Sequence, residues 1–260
     1  MPAIHTEQAG PVPYFQFEPI GYIETCFKEK FGTPRQPGLA PASWGILRLR
    51  KDLNLADALS GLEEFSHLWL IWIFHQNTNK GIKTKVHPPR LQGKKIGLFA
   101  TRTPHRPNPI GLSAVKIEKI LGNEIYLSGV DLVSGTPVLD IKPYLASSDS
   151  ITSAVSGWTT QKAERTVEVE WTPQALSDLE QLKLKTSANF SQLVNEMLAL
   201  DPRPTFYKGT PARPNPYTDL YGLRVEDCNV IYQMIESRAI VSAIQSWSEF
   251  RPATNANSKL

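Results

Sequence analysis

Apolar and polar residues alternate with the two-residue period of β-strands along much of the first 145 positions. Residues 68–74, LWLIWIF, are apolar throughout, which is typical of a strand buried on both faces or in a barrel wall. Turn dipeptides at 122–123 and 134–135 join closely spaced strands, so we expect an antiparallel sheet or barrel. The strands predicted in this half cover residues 14–24, 45–50, 68–74, 112–120, 124–132 and 136–143.

Helical periodicity predicts one short helix in the first half of the chain and two longer helices in the second half. Asn54 is a candidate N-cap for a short helix over 54–61. Thr172 and Pro173 mark the start of a longer helix, and a second pattern over 190–198 ends before Pro202. Three further strands are predicted at 220–225, 230–237 and 239–247.

These elements predict a mainly β chain that includes an α+β part. An N-terminal antiparallel, β-barrel-like domain covers 14–146, and a small α+β domain covers 171–250. A Ser/Thr-rich linker over 147–170 joins them, and we expect a disordered leader (1–13) and tail (251–260).

The net charge of +3 is unevenly distributed along the 260 residues. No Asp or Glu occurs from 65 to 117, and this asymmetry favours an anionic partner, with nucleic acid the commonest. A basic loop that is merely solvated is the alternative. The basic residues of this stretch are Lys80, Lys83, Lys85, Arg90, Lys94, Lys95, Arg102, Arg106 and Lys116.

Several classes of protein are disfavoured. The longest apolar run falls far short of the roughly 20 residues of a membrane helix, and the two distant cysteines suit a reducing cytoplasm. The chain lacks the glycine patterns of dinucleotide and triphosphate sites and the G-x-S-x-G elbow of hydrolases. Its five histidines lack the spacing of a zinc site, so no metal is expected.

Two stretches are candidates for chemistry. Residues 97–113 contain three prolines that stiffen a polar loop, which is typical of a binding loop but also of a surface connection. Strand 136–143 leads into Asp140, Lys142 and Tyr144, which alternation places on one face. They form either an acid–base cluster or an ion pair at the edge of a sheet.

Five motifs, in this order, resemble the TrmO (TsaA-like) family of tRNA methyltransferases. The similarity spans roughly residues 17–236. The motifs are PRQPG at 34–38, SHLWLIWIFHQ at 66–76, GLFATRTPHRPNPIGLS at 97–113, DLVSGTPVLDIKPYL at 131–145 and DPRPTFYKG at 201–209.

The resemblance implies a β-barrel enzyme that uses S-adenosylmethionine without a Rossmann domain and acts as a homodimer in the cytoplasm. It also implies a substrate, threonylcarbamoyl-adenosine beside the anticodon of threonine tRNA, methylated on the nitrogen that joins the base to its carbamoyl group. The cofactor contacts that it implies are Gln36, Pro37, Gly38, His75, Gln76, Arg102, Leu112, Val130, Asp131, Leu132 and Val133.

The remaining roles follow from residue chemistry. We expect Arg102 to bind the cofactor carboxylate and Asp140 to act as a base, oriented or tuned by Lys142 and Tyr144. His105 falls in a variable pair of the family motif, and neither it, Arg106 nor Asn108 receives a role. The residues expected to contact tRNA phosphates are Lys80, Lys83, Lys85, Arg90, Lys94 and Lys95. Arg203, Tyr207 and Lys208 of the second domain are expected to assist recognition of the anticodon loop. A non-catalytic RNA-binding module of the same fold is the alternative function.

Overall fold

The computed structural model describes residues 15–52, 55, 57–77, 81–88, 91, 94–160, 167–203 and 220–250. Within these ranges the chain forms a β-barrel followed by a smaller α+β unit, which confirms the predicted fold class. The strands of the first unit are β1 (Gly21–Thr25), β2 (Trp44–Leu49), β3 (His67–Ile73), β4 (Lys85–Val86), β5 (Ile96–Gly97), β6 (Ile110–Leu121), β7 (Glu124–Ser128) and β8 (Thr136–Pro143).

In the described part of the chain, six of these strands close into a barrel in the order β1-β2-β7-β6-β3-β8. Every neighbouring pair is antiparallel, and β4 and β5 form a separate two-stranded ribbon. Alternation decides which side chains fill the barrel: Leu68, Leu70 and Trp72 of β3 are at most 6% exposed. A closed barrel leaves no long unpaired edge in this unit.

Three predicted elements differ in the structure. The helix predicted over 54–61 was wrong: residues Asp57–Leu59 form only a 3₁₀ turn, and Gly61 at φ +86° precedes a second 3₁₀ turn, Leu62–Glu64. Asn54 lies outside the described residues. The first predicted strand, over 14–24 with an interruption near Pro19, is shorter in the structure: β1 begins at Gly21, and residues 15–19 form no strand.

The third difference shapes the site. The strand predicted over 124–132 ends at Ser128, because Gly129 adopts φ +71° and turns the chain. Residues 130–133 therefore form a loop with Val130 and Leu132 buried, instead of continuing the strand.

The second unit contains β9 (Glu168–Trp171), α2 (Pro173–Gln181), α3 (Phe190–Ala199), β10 (Leu220–Val225), β11 (Cys228–Ile235) and β12 (Arg238–Ser246). Its sheet has the order β10-β11-β12-β9, with β9 parallel to β12. The sheet thus begins inside the segment 147–170 that the sequence assigned to a linker, which also holds α1 (Ala146–Asp149). Thr172 caps α2 as predicted, since its hydroxyl accepts from the Ala175 amide.

The two units share a packed interface. Glu226 is only 6% exposed and accepts a hydrogen bond of 2.7 Å from the Trp44 indole of β2. Its backbone amide donates to the Cys26 carbonyl at 2.8 Å, and Ala42 donates to the Glu196 carboxylate of α3 at 2.7 Å. The second unit therefore contacts the loop 28–43 at Ala42 through the Glu196 carboxylate.

Cys26 and Cys228 are free, buried thiols in the described part of the molecule. Burial raises the pKa of each thiol, to about 12 for Cys26 and about 11 for Cys228, so neither is a ready nucleophile. No helix in the described ranges is both long and apolar enough to cross a membrane.

Candidate active site

A cleft of about 830 Å³ opens where β3 ends and β6 begins. Its floor and walls include Trp72 and Phe74, whose rings meet edge to face with centroids 4.3 Å apart. Its volume lies in the range of small-molecule and cofactor sites. The polar residues that line it come from several separate segments: Lys30, Thr33, Arg35 and Gln36; His75 to Asn77; His87; Thr101 to Arg106; and Asp131 and Thr136.

The proline-rich loop 101–109 forms one wall of this cleft and is braced on both sides. The Asn77 side chain donates to the Pro104 carbonyl at 2.9 Å and lies 3.2 Å from His105 Nδ1. Phe74 donates its amide to the Pro109 carbonyl at 2.8 Å, and Arg106 donates to the Thr101 carbonyl at 2.8 Å. His105 and Arg106 thus help to shape the loop, whose stiffness reduces the entropy lost when a ligand binds.

Gly111, the second residue of β6, allows the Trp72 ring to lie close to this strand. It pairs with Trp72 across the sheet, and a Cβ at this position would lie 2.3 Å from Cε2 of the Trp72 ring. The tryptophan can lie over the strand only because residue 111 has no side chain. The same ring forms part of the cleft.

Arg102 and Gln36 form the polar end of the cleft. The guanidinium donates to Gln36 Oε1 at 2.6 Å, although the two residues are 66 positions apart. Lys30 ties the same loop to the end of β3 by donating to the Gln76 carbonyl at 2.7 Å. The arginine remains exposed, so it can receive an anionic group such as a carboxylate.

A hydrogen-bonded chain leads from the barrel wall to Asp131. The Trp72 indole donates to Ser113 Oγ at 3.0 Å, and Ser113 Oγ donates to Asp131 Oδ1 at 2.6 Å. Burial raises the pKa of Asp131 to about 6, against the lowering effects of the Ser113 hydrogen bond, its own backbone amide and the positive charge of Arg102. Asp131 is therefore a carboxylate that can change protonation near neutral pH.

His75 and Gln76 follow β3 directly, as the sequence predicted. Burial, opposed by a hydrogen bond involving Ile73, lowers the pKa of His75, and the charge of Lys30 lowers it further. The imidazole is neutral at neutral pH and can both donate and accept a hydrogen bond.

The structure brings together most of the side chains that were expected to contact a cofactor. Pro37 and Gly38 lie beside the cleft rather than in its lining, and Gly38 donates its amide to the Gly129 carbonyl at 2.9 Å. Val130 and Leu132 are each 1% exposed and belong to the core. The expected residues that line the cleft are Gln36, His75, Gln76, Arg102, Leu112, Asp131 and Val133.

The expected catalytic cluster lies on the outer face of the barrel, outside the cleft lining. Lys142 and Asp140 form an exposed ion pair of 2.8 Å, the second alternative that the sequence left open. Lys142 pairs across the sheet with Trp69, and the ring of Tyr144 packs against Trp69 with centroids 5.4 Å apart. Trp69 itself reaches the cleft, so the cluster borders its margin.

Lys83, Lys85, Lys94 and Lys95 are all exposed, as expected for contacts with an anionic partner. Lys80, Arg90, Tyr207 and Lys208 lie outside the described residues. Arg203 instead pairs with Asp201 at 2.8 Å and lies over the Tyr221 ring, which is a structural role.

An apolar pocket of about 290 Å³ adjoins these lysines. Phe99 is 78% exposed beside it, and the Arg106 guanidinium lies over the ring, 5.5 Å from its centroid. An exposed aromatic ring among cations suits an unpaired nucleic-acid base.

Sequence reasoning missed several cleft residues. Trp72 and Phe74 read as ordinary strand positions, and Trp158 fell within the predicted linker. Trp158 reaches the cleft because its indole donates to the Ala100 carbonyl at 2.9 Å. In the described residues no group of three or more His, Cys, Asp or Glu side chains could hold a metal ion.

Comparison with known proteins gives a consistent picture. The family model described as the tRNA-methyltransferase O N-terminal domain matches residues 22–150, and that of the TrmO C-terminal domain matches residues 164–246. A crystal structure of TrmO from Pseudomonas aeruginosa superposes with a TM-score of 0.73 at 34% identity, covering 90% of this chain and 99% of that one.

Curated relatives carry related names. An Escherichia coli protein named tRNA (adenine(37)-N6)-methyltransferase is 39% identical over 236 residues, which are 89% of this chain and 98% of that protein. A Pseudomonas aeruginosa protein, RcsF, named as a candidate S-adenosylmethionine-dependent methyltransferase, is 43% identical over 213 residues, 82% of this chain and 89% of its own length. A mouse protein with the same name as the Escherichia coli one is 56% identical over 135 residues, 51% of this chain but only 31% of its own length.

Proposed function

The chain belongs to the TrmO family of tRNA methyltransferases, and on that premise we propose that it transfers a methyl group from S-adenosylmethionine to N6 of adenosine 37 in tRNA. The observation that carries this proposal is the cleft itself. It gathers Arg102, Gln36, His75 and Asp131 from distant parts of the chain around two aromatic rings. Such a mixture of apolar walls and a few converging polar groups is typical of a cofactor site.

The residues present fit S-adenosylmethionine. Arg102 supplies a cation for a carboxylate, and the faces of Trp72 and Phe74 suit a sulfonium or an adenine. When bound, the cofactor supplies an electrophilic methyl group. The work of the protein is to hold donor and acceptor in line and to exclude water, which the stiff walls favour.

The finer substrate that we propose is threonylcarbamoyl-adenosine 37 of threonine tRNA, methylated on the nitrogen between the base and its carbamoyl group. The cleft offers room for more than a cofactor, and neutral polar groups at Asn77 and Thr103 line its rim. Binding of a polar modified base needs such donors and acceptors.

Asp140 remains the sequence-derived candidate for proton removal, with Lys142 and Tyr144 as orienting groups. Their position at the margin of the cleft, around Trp69, is compatible with contact to a large RNA substrate. Single-turnover methylation by an Asp140→Asn variant tests this assignment, and an undiminished rate would remove it.

We propose that the tRNA backbone lies along the exposed lysines, with an unpaired base of the anticodon loop against Phe99. The support is the acid-free sequence of this face and the exposure of Phe99 beside Arg106. Lys80 and Arg90, which were expected from the sequence to contact tRNA phosphates, lie outside the described residues.

A homodimer in the cytoplasm completes the proposal. Ile110 and Leu112 at the mouth of the cleft are 42% and 56% exposed, which suits burial by a second copy. Light scattering at micromolar concentration tests the dimer, and a purely monomeric protein would contradict it.

One assay separates the enzyme from a non-catalytic RNA-binding module. The protein is given S-adenosylmethionine labelled in its methyl group and tRNA that either bears or lacks the threonylcarbamoyl group. We expect label only in the modified tRNA. Binding of both molecules without any transfer of label would favour the binding module, and equal labelling of bare tRNA would contradict the finer substrate.

A further inference from the structure

The orientation of one hydroxyl proton in the barrel is fixed by its partners. Ser113 is 0% exposed, and its Oγ accepts a hydrogen bond of 3.0 Å from the indole N–H of Trp72. Because an indole N–H can only donate, the single proton of Ser113 is left to point at Asp131 Oδ1, 2.6 Å away. The chain Trp72–Ser113–Asp131 thus holds the carboxylate in one orientation in the lining of the cleft.

We propose that Asp131 is the base that takes the proton from the acceptor nitrogen, and that Ser113 and Trp72 are its positioning residues. This proposal rests on the proposed methyl transfer. It assigns the Asp131 carboxylate to proton removal in place of the cofactor contact that the family resemblance implies, and it transfers the role of base from Asp140 to a carboxylate that lies in the cleft.

The chemistry calls for such a group. The lone pair of a nitrogen that lies between a purine and a carbonyl is delocalised, so this nitrogen is a poor nucleophile while it keeps its proton. In the step, the nitrogen bonds to the methyl carbon, the methyl–sulfur bond breaks with its electron pair remaining on sulfur, and the N–H proton passes to Asp131. The carboxyl group then returns the proton to water, so atoms and charge balance.

The surroundings of Asp131 suit a base at neutral pH. Burial weakens the charged form, while Ser113 of β6 and the charge of Arg102 from the proline-rich loop support it, and the resulting pKa is about 6. The other titratable groups that line the cleft are Lys30, Arg35, His75, His87, His105 and Arg106. A carboxylate of this pKa is mostly ionised at pH 7 yet more basic than an ordinary aspartate, which is the condition for efficient proton transfer.

Asp131→Asn tests the proposal through three readouts. We expect calorimetry to give an S-adenosylmethionine affinity within about threefold of the original, and single-turnover transfer to modified tRNA to fall about 100-fold or more. Because the charged carboxylate is disfavoured in the folded protein, the variant should melt no lower than the original at pH 8. Asp57→Asn is the matched control for loss of one carboxylate, because Asp57 is exposed on a 3₁₀ turn and does not line the cleft.

Ser113→Ala gives a second, independent measurement. Loss of its hydrogen bond raises the pKa of Asp131, so the acidic limb of the rate against pH should move to higher pH with little change in cofactor affinity. A carbon-13 titration of the Asp131 carboxyl in the protein without ligands should show the same displacement. An unchanged limb and titration in this variant would refute the positioning role.

Three outcomes would overturn the proposal. Asp131→Asn transferring methyl at the original rate would remove the base, and loss of cofactor affinity in this variant would make Asp131 a cofactor ligand instead. Loss of transfer in Asp140→Asn but not in Asp131→Asn would return the role to Asp140. Absence of methyl transfer by the unmodified protein would instead refute the proposed function, which distinguishes the two failures.

Discussion

Removal of the contact between Glu226 and the barrel tests how far the stability of each unit depends on the other. The carboxylate accepts from the Trp44 indole at 2.7 Å and from the Ser187 amide at 2.9 Å. Glu226→Ala removes both acceptors and leaves two partly buried donors without a partner. Each unsatisfied donor costs about 1–3 kcal/mol, and because both are only partly buried we expect a loss at the lower end, about 2–3 kcal/mol in total.

Urea unfolding followed by tryptophan fluorescence and by circular dichroism measures this loss. Residue 226 has φ +51°, and glutamate and alanine both carry a Cβ, so the backbone strain is similar in the original protein and in Glu226→Ala. The difference in unfolding free energy between them therefore reports mainly the side-chain hydrogen bonds. Glu226→Gln is the matched variant. It keeps one acceptor but turns an amide NH₂ toward a donor, so we expect a smaller loss than for alanine.

A double-mutant cycle with Trp44→Phe isolates the contact between the units. We expect a coupling free energy of about 1–2 kcal/mol, since the bond joins a neutral donor to a charged acceptor. Additivity within about 0.3–0.5 kcal/mol, the usual result for independent sites, would refute the view that this hydrogen bond holds the second unit against the barrel.

Three further predictions concern the cleft and its rim. Gly111→Ala forces a Cβ into the Trp72 ring, so it should lower the free energy of unfolding by about 1–3 kcal/mol and weaken cofactor binding. Gly97→Ala is the control, because residue 97 has open space around it. It should change neither the free energy measured by urea unfolding nor the cofactor affinity measured by calorimetry. Arg102→Ala should abolish cofactor binding, and an unchanged calorimetric affinity would remove its assigned role. Phe99→Ala should weaken binding of modified tRNA by about 1–3 kcal/mol, the range for one stacked base, while Phe99→Trp should retain it; equal affinities of the alanine variant and the original in a filter-binding assay would exclude stacking at this site.

The alternation of the strands and the apolar run of β3 predicted an antiparallel sheet or barrel, because these patterns show which side chains must be buried. Closure into a barrel depends on the pairing of β1 with β8, which are far apart in the sequence. Strand β8 and the start of α2 lie where the pattern placed them, since a turn dipeptide and an N-cap with proline act locally. The proline loop was recognisable for the same reason, as proline restricts its own residue and the one before it.

The tertiary structure alone decided which polar groups meet. Arg102 and Gln36 are 66 residues apart, and nothing local in either stretch indicates that they share a hydrogen bond. Alternation correctly placed Asp140 on the same face as Lys142, but it did not show that this face lies outside the cleft. A strand pattern separates the inside of a barrel from the outside without showing where the barrel opens. Asp131 reached the cleft only because Gly129 ended a predicted strand early. Its raised pKa arises from burial and is opposed by the hydrogen bond from Ser113 on another strand.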